Sequence, residues 1–246
     1  MMKPLIEVRK LVNRFGKNVV HDGLDFDIFP GEIVGVVGGN GTGKSVLLRT
    51  IVGLQRPASG TVTIEGQNIS KMRTQNLWGV LFQKGALFSN LTVIENIAFQ
   101  MREKTGLSES DIHRLARMKV ELVGLPASAG PKFPSELSGG MIKRAALARS
   151  LALDPKILFL DEPTAGLDAP AAEGFDQLIR DLVDYLGISV FMITHDLDSL
   201  KTICDRIAVL VDKKIRTGTL AEHLKDKHPW LQEYFHGKRA RFLEKE

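Results

Sequence analysis

A single cysteine, Cys204, stands in a chain of 246 residues, which leaves nothing for an intrachain disulfide framework or a Cys-rich zinc site. Such usage suits a reducing compartment, and Cys204 reads as a small buried apolar side chain. Long hydrophobic runs are missing too: none approaches the ~18 residues of a membrane span, and Met1-Met2-Lys3-Pro4 leads into a strand pattern rather than a signal-peptide apolar region. Nor is charge of one sign in excess. The 33 basic and 29 acidic side chains are interspersed and leave a net +4, so charge supplies no dedicated nucleic-acid surface, and no nucleic-acid partner is expected. The sequence has no internal repeat, low-complexity tract, interdomain linker or sustained heptad run, so a second domain would have to be an insertion inside one fold. What is present is ordinary globular material, 43% apolar against 25% charged residues, enough for one sizeable core.

The order of patterns along the chain is nested. Leu5 to Val8, Val19 to Phe29 and Gly60 to Glu65 carry β-branched or alternating residues between turn signals at Gly23, Pro30-Gly31 and Gly66, which suits an antiparallel layer. Ile33 to Val37, Val80 to Phe82, Ile157 to Leu160, Ile188 to Thr194 and Arg206 to Val211 are short and almost wholly apolar, as in a sheet covered on both faces. Helical patterns occupy Ser45 to Gly53, Met141 to Leu153, Ala169 to Leu186 and Leu197 to Ile203. A polar, helix-rich block, with helices over Val93 to Arg102 and Ser108 to Val123, interrupts the strands. The expected class is therefore α/β, a mostly parallel sheet with an N-terminal antiparallel β layer. The core spans residues 1–83 and 154–218, with a helical subdomain inserted at 84–153 and a helical tail over 219–246.

Chemistry concentrates at the ends of the apolar strands. After Ile33 to Val37 comes Gly38-Gly39-Asn40-Gly41-Thr42-Gly43-Lys44-Ser45 and then a helix, the pattern and setting of a phosphate-binding P-loop. Its glycines let backbone N–H groups curl round phosphate oxygens, the helix N-terminus adds partial positive charge, Lys44 reaches the β and γ phosphates, and Ser45 offers a hard oxygen to Mg²⁺. The strand Ile157 to Leu160 ends in Asp161-Glu162, two carboxylates at the edge where open α/β sheets bind ligands. Asp161 is expected to orient Mg²⁺ through its water shell and Glu162 to polarise the attacking water. His195 ends another apolar strand, where it can hydrogen-bond a γ phosphate. Gln83 follows the strand Val80 to Phe82, within reach of Mg²⁺ or the water. Leu137-Ser138-Gly139-Gly140-Met141 opens a helix twenty residues before Asp161, a further anion site of backbone N–H groups and a hydroxyl.

Together these motifs resemble the nucleotide-binding subunit of ATP-binding-cassette (ABC) transporters over essentially the whole chain. The resemblance assigns Gln83 to the glutamine loop, Ser138, Gly139 and Gly140 to the signature, Asp161 and Glu162 to the Walker B strand and catalytic glutamate, Ala165 to Asp168 to the D-loop and His195 to the switch histidine. Phe15 stands where that family stacks an aromatic on adenine. It implies ATP and Mg²⁺ as cofactors, and a head-to-tail pair of identical chains in which each ATP lies between the P-loop of one copy and the signature of the other. It also implies integral membrane permease subunits, whose coupling helix would enter a groove along Gln83 to Phe99.

Within the family, Phe82 to Phe88, Leu91 to Phe99 and Ser138 to Met141 look like the Mla-type subgroup. That subgroup serves phospholipid transport with Mce-domain substrate-binding proteins and a small soluble regulatory subunit, at the cytoplasmic face of the inner membrane. Met141 replaces the glutamine of the general consensus, as in that subgroup, and leaves the Ser-Gly-Gly grip intact. In the tail, Pro229 to Phe235 carries an aromatic stripe at helical spacing that suits packing on this or a partner subunit, and Lys238, Arg239 and Arg241 suit a solvated face. The competing readings are another cargo, such as organic solvent, amino acid or lipoprotein, or an ABC-type ATPase acting on ribosomes or DNA. The latter typically needs tandem cassettes or coiled-coil insertions, for which this chain has no room. A soluble small-molecule kinase would share the P-loop and leave Leu137 to Met141 without a purpose.

Overall fold

The computed structural model describes residues 3–71 and 77–237. The chain divides into two compact units, residues 1–74 with 183–246, and residues 75–182. In chain order the elements are β1 (Ile6–Phe15), β2 (Asn18–Ile28), β3 (Ile33–Gly38), α1 (Lys44–Ile51), β4 (Ser59–Ile64), β5 (Gln67–Asn68), β6 (Trp78–Leu81), α2 (Val93–Lys104), α3 (Glu109–Leu122) and α4 (Gly139–Ser150). There follow β7 (Ile157–Asp161), α5 (Ala169–Leu186), β8 (Ser189–Ile193), α6 (Leu197–Thr202), β9 (Arg206–Val211), β10 (Lys214–Gly218), α7 (Leu220–Lys225) and α8 (Pro229–His236).

The first unit holds an antiparallel layer in the order β2-β1-β4-β5 and a second sheet in which β8 and β9 run parallel on either side of β3 while β10 returns antiparallel on β9. The antiparallel strand β1 is longer than its pattern of alternation suggests. Ile6 and Val8 face the core, then the register shifts and Leu11 and Asn13 face it instead. Lys10 sits at the shift with φ of 48°, a bulge that inverts the parity of the side chains. Gly60 on the neighbouring β4 is required there, because a Cβ would lie 2.4 Å from the Lys10 carbonyl oxygen. Read as strict alternation, the strand stops at the bulge.

Every residue of β3 and β8 is buried, which accounts for their uninterrupted apolar runs. Cys204 is half-buried rather than enclosed, with Sγ 2.8 Å from where a Cβ on Gly35 would stand. The tail belongs to this unit: Leu231 and Phe235 of α8 are fully buried against Val37, Val209 and Ile207, and His223 of α7 stacks on Phe235 and bonds the Ile207 carbonyl at 2.9 Å. The aromatic stripe thus packs on its own chain. Lys238, Arg239 and Arg241 lie outside the described residues.

The second unit pairs β6 and β7 in parallel and carries α2, α3 and α4. Thr92 and Glu95 form a capping box at the start of α2, and Ser108 caps α3. Fully buried Asn96 accepts from the Phe88 N–H at 2.8 Å and donates to the carbonyls of Phe88, Leu91 and Thr92. Its side chain ties the segment after Gln83 to the helix that follows.

Candidate active site

In the first unit β3 delivers the glycine loop to the N-terminus of α1, and Gly38, Gly41 and Gly43 each have a physical reason. A Cβ at Gly38 would meet the Leu210 carbonyl oxygen at 2.7 Å, and one at Gly43 would meet His21 Nε2 and Val20 Cγ1 at 2.4 Å. Gly41 and Gly43 also have φ of 80° and 97°, a region that disfavours side chains. Gly43, at the N-cap of α1, makes no side-chain cap hydrogen bond, and the partial positive charge of the helix N-terminus lies at the glycine loop. Lys44 is buried, and its ammonium donates to the carbonyls of Gly38 at 2.7 Å and Gly39 at 3.2 Å. That geometry folds the cation back over the loop that would receive phosphate.

Beneath the loop runs a buried chain of polar groups. The Thr50 hydroxyl donates to the Val46 carbonyl at 2.7 Å and so accepts from the Asn13 amide at 3.0 Å, which turns Asn13 Oδ1 toward His21 Nδ1, also at 3.0 Å. The proton of a neutral His21 must then lie on Nδ1. Its Nε2, against Gly43, has no hydrogen-bond partner among the described residues. Burial pushes the imidazole pKa down to about 4 from the ordinary 6.5, with the backbone of Thr42 and Gly43 pulling the other way. An unfolded chain therefore takes up a proton that the folded one refuses. Above pH 6.5 the two states match; as pH falls from there toward 4, His21 should erode stability by about 1.4 kcal/mol per pH unit. Denaturant titrations of the parent and a His21→Asn variant would show it, and parallel pH curves for the two would refute it.

Of the other nucleotide candidates in this unit, Phe15 ends β1 with 47% of its surface exposed, more than a core Phe would show. His195 follows β8 and is exposed; with Asn40 of the glycine loop and Trp230, Glu233 and Tyr234 of α8 it lines a cavity of about 670 Å³. The P-loop and His195 are thus brought together. Asp196, next to His195, caps α6 through the Asp198 N–H at 3.0 Å, which fixes the turn that presents the imidazole.

In the second unit the acids and the glutamine meet. Asp161 ends β7, and Glu162 turns away from the strand with φ of 49°, a left-handed conformation uncommon for a residue with a side chain. The Gln83 amide, just after β6, donates to Glu162 Oε2 at 2.6 Å. Lys143 of α4, 6% exposed, donates from Nζ to the Gln83 carbonyl at 2.5 Å and the Glu162 carbonyl at 3.1 Å. Burial lowers its pKa, and the neighbouring charges of Glu162 and Asp161 oppose that shift.

Ser138 caps α4, its hydroxyl accepting from the Met141 N–H at 3.4 Å. A Cβ on Gly139 would meet nothing within 4 Å, and one on Gly140 only Leu167 Cδ2 at 3.9 Å. Packing among the described residues therefore gives no reason for two glycines, whereas close approach of an outside ligand to the helix N-terminus does. Asp168 caps α5, accepting from the Ala171 N–H at 2.9 Å.

A family profile described as "ABC transporter" matches residues 21–165, more than half of the chain. The chain belongs to the ABC transporter family. Among curated relatives, the intermembrane phospholipid transport system ATP-binding protein MlaF of Haemophilus influenzae is 37% identical over 91% of this chain and 87% of its own length. MlaF of Escherichia coli K12 is 35% identical over 95% and 89%. The probable ribonucleotide transport ATP-binding protein mkl of Mycobacterium leprae is 37% identical over 95% of this chain and 69% of its own. Among solved structures, a cassette of the cbiONQ complex from Clostridium perfringens superposes with a TM-score of 0.82 at 28% identity, covering 98% of both chains. A dimeric cassette in a post-hydrolysis state with ADP and phosphate gives 0.79 at 27%, covering 87% of this chain and 98% of that one. As an ABC cassette the chain binds and hydrolyses ATP, and its fold is α/β with a mostly parallel and an antiparallel sheet.

Three contributors to the site escape sequence reading. His21 looks like one more polar residue of an alternating strand, Lys143 like a solvated helical lysine, and Trp230 lies almost two hundred residues from the loop it faces. Only Lys143 leaves a trace: it sits one turn into the helix that the Ser-Gly-Gly turn opens.

Proposed function

We propose that this chain is the energy-coupling subunit of a transporter that moves phospholipid between membranes. The observation that carries the chemistry is the Gln83 amide on the Glu162 carboxylate beside Asp161, in a chain that also bears the complete P-loop and signature. Glu162 accepts a proton from water as the water oxygen attacks the γ phosphorus; the bond to the bridging oxygen of the β phosphate breaks, leaving ADP and phosphate. Gln83 orients that water, Lys44 and the loop N–H groups bind the β and γ phosphates, and His195 donates to the γ phosphate. Phe15 offers its exposed ring to adenine.

Magnesium suits the donor set: the Ser45 hydroxyl, Gln83 amide oxygen and Asp161 carboxylate are hard oxygens. Among the described residues no cluster of three His, Cys, Asp or Glu makes an all-protein cage, in keeping with an ion that shares its shell with substrate phosphates and water. When bound, Mg²⁺ neutralises charge developing on the phosphate oxygens.

Two copies act together, Ser138, Gly139 and Gly140 of one closing over the nucleotide held by the other; the open space before those glycines and the dimeric state of a cassette neighbour support this. No helix among the described residues is long and apolar enough to cross a membrane, so this reading also requires separate permease subunits. An Mce-domain protein and a small regulatory subunit complete the assembly at the cytoplasmic face of the inner membrane.

Phospholipid is favoured by the names of the MlaF relatives, while the mkl name raises ribonucleotide as the second reading. Purification of the complex from membranes, followed by lipid extraction and transport assays with labelled phospholipid and labelled ribonucleotide, decides between them. Phospholipid should copurify and move in an ATP-dependent manner; movement of ribonucleotide alone would replace this cargo assignment.

A further inference from the structure

We infer that Lys143 is a positioning residue for ATP hydrolysis, yoking the glutamine loop and the backbone of Glu162 to the signature helix so that the three move as one piece. The inference rests on the roles given above to Gln83 and Glu162. One ammonium group donates to both of their carbonyls, and the Gln83 side chain reaches across to the Glu162 carboxylate, so the three residues form a closed ring of hydrogen bonds. A neutral side chain at 143 would leave two carbonyls without their shared donor, next to a glutamate already in a left-handed turn.

The rest of α4 grips the same loop. Gly85, with φ of 74°, passes so close that a Cβ would meet Ile142 Cγ2 at 3.3 Å and Ala146 Cβ at 3.4 Å. Buried Arg149, six residues beyond Lys143, donates to the carbonyls of Ala86 at 2.6 Å and Gly85 at 2.9 Å. Arg149 and the close packing at Gly85 hold the loop to the helix. Lys143 alone among these contacts also reaches Glu162. Since Ser138 caps the same helix, a ligand that shifts its N-terminus acts on Gln83 and Glu162 through Lys143, without either of them touching that ligand.

The test uses the full chain in its transporter complex, with Lys143→Met, Lys143→Arg, Gln83→Ala and the Lys143→Met/Gln83→Ala double variant. Methionine keeps the volume of the stem and removes the charge; arginine keeps a cation able to serve two carbonyls. Lys143→Met should lower kcat about tenfold and leave KM for ATP within about twofold. Lys143→Arg should restore most of the rate. Because Lys143 and Gln83 belong to one hydrogen-bonded ring around Glu162, the loss in the double variant should fall short of the product of the two single losses. A parental kcat in Lys143→Met, equal losses in kcat and affinity, no rescue by arginine, or multiplying losses in the double variant would each overturn the inference. Should Lys143→Met not fold, Lys143→Gln, which keeps one donor group, must give a rate below the parent and below Lys143→Arg at unchanged KM, and a parental rate there is equally fatal. Glu162→Gln separates the two levels: if it hydrolyses ATP normally, the underlying reading fails, whereas an inactive Glu162→Gln beside a parental Lys143→Met removes the yoke alone.

Discussion

Glu162→Gln is expected to lower ATP turnover by roughly 10²- to 10⁴-fold while leaving nucleotide binding intact, the range for loss of a positioned general base. The substitution conserves shape and the left-handed turn at 162. It also conserves the link to Gln83, since an amide oxygen at 162 can still accept from the Gln83 Nε2 that now lies 2.6 Å from a carboxylate oxygen. What disappears is an oxygen basic enough to take the proton of attacking water. The nucleotide is then trapped before cleavage, and the paired form should accumulate with ATP present. Phosphate release and size-exclusion chromatography with and without Mg-ATP read the two consequences. Hydrolysis at the parental rate would remove Glu162 from the role of base.

Lys44→Ala should act on the ground state instead. The ammonium now shared by the carbonyls of Gly38 and Gly39 is close enough to the loop to transfer its donors to phosphate oxygens with little movement of the stem. A charge-assisted hydrogen bond contributes about 1.5–3 kcal/mol, so losing one weakens ATP binding by about tenfold to about 150-fold, and losing a second weakens it further. The Gly38 and Gly39 carbonyls also lose this donor, which loosens the loop around the site. Titration calorimetry with ATP and with AMP distinguishes the cause: ATP affinity should drop steeply, whereas AMP, with no β or γ phosphate, should be nearly indifferent. Equal losses for both would indicate a collapsed loop rather than a missing phosphate contact.

These two variants fall on opposite halves of the chain's chemistry, and the halves differ in how openly the sequence displays them. The P-loop was legible because its glycines lie within eight positions and the positive φ at Gly41 and Gly43 is a local demand, whereas the close approach at Gly38 also involves Leu210 on β9. Asp161 and Glu162 were legible because a buried strand of four apolar residues ends on them. Strand β10 was missed since Lys214 to Gly218 is largely exposed and shows no alternation of apolar residues. The far half of β1 was missed because the bulge at Lys10 inverts its parity. The Gln83–Glu162 bond joins positions 79 residues apart and has no local signature.

The order of motifs along the chain, unaided by coordinates, determined the family and the ATP chemistry, and singled out the residues proposed to touch phosphate. These follow from backbone conformation and short-range charge, which act between neighbours in sequence. Only the tertiary structure decided that His21 is buried neutral under the loop, that α8 packs on its own unit and that Lys143 spans two carbonyls. Burial and hydrogen-bond partners depend on which segments the fold brings together, so the same lysine that reads as a solvated helical residue becomes an enclosed cation holding two loops.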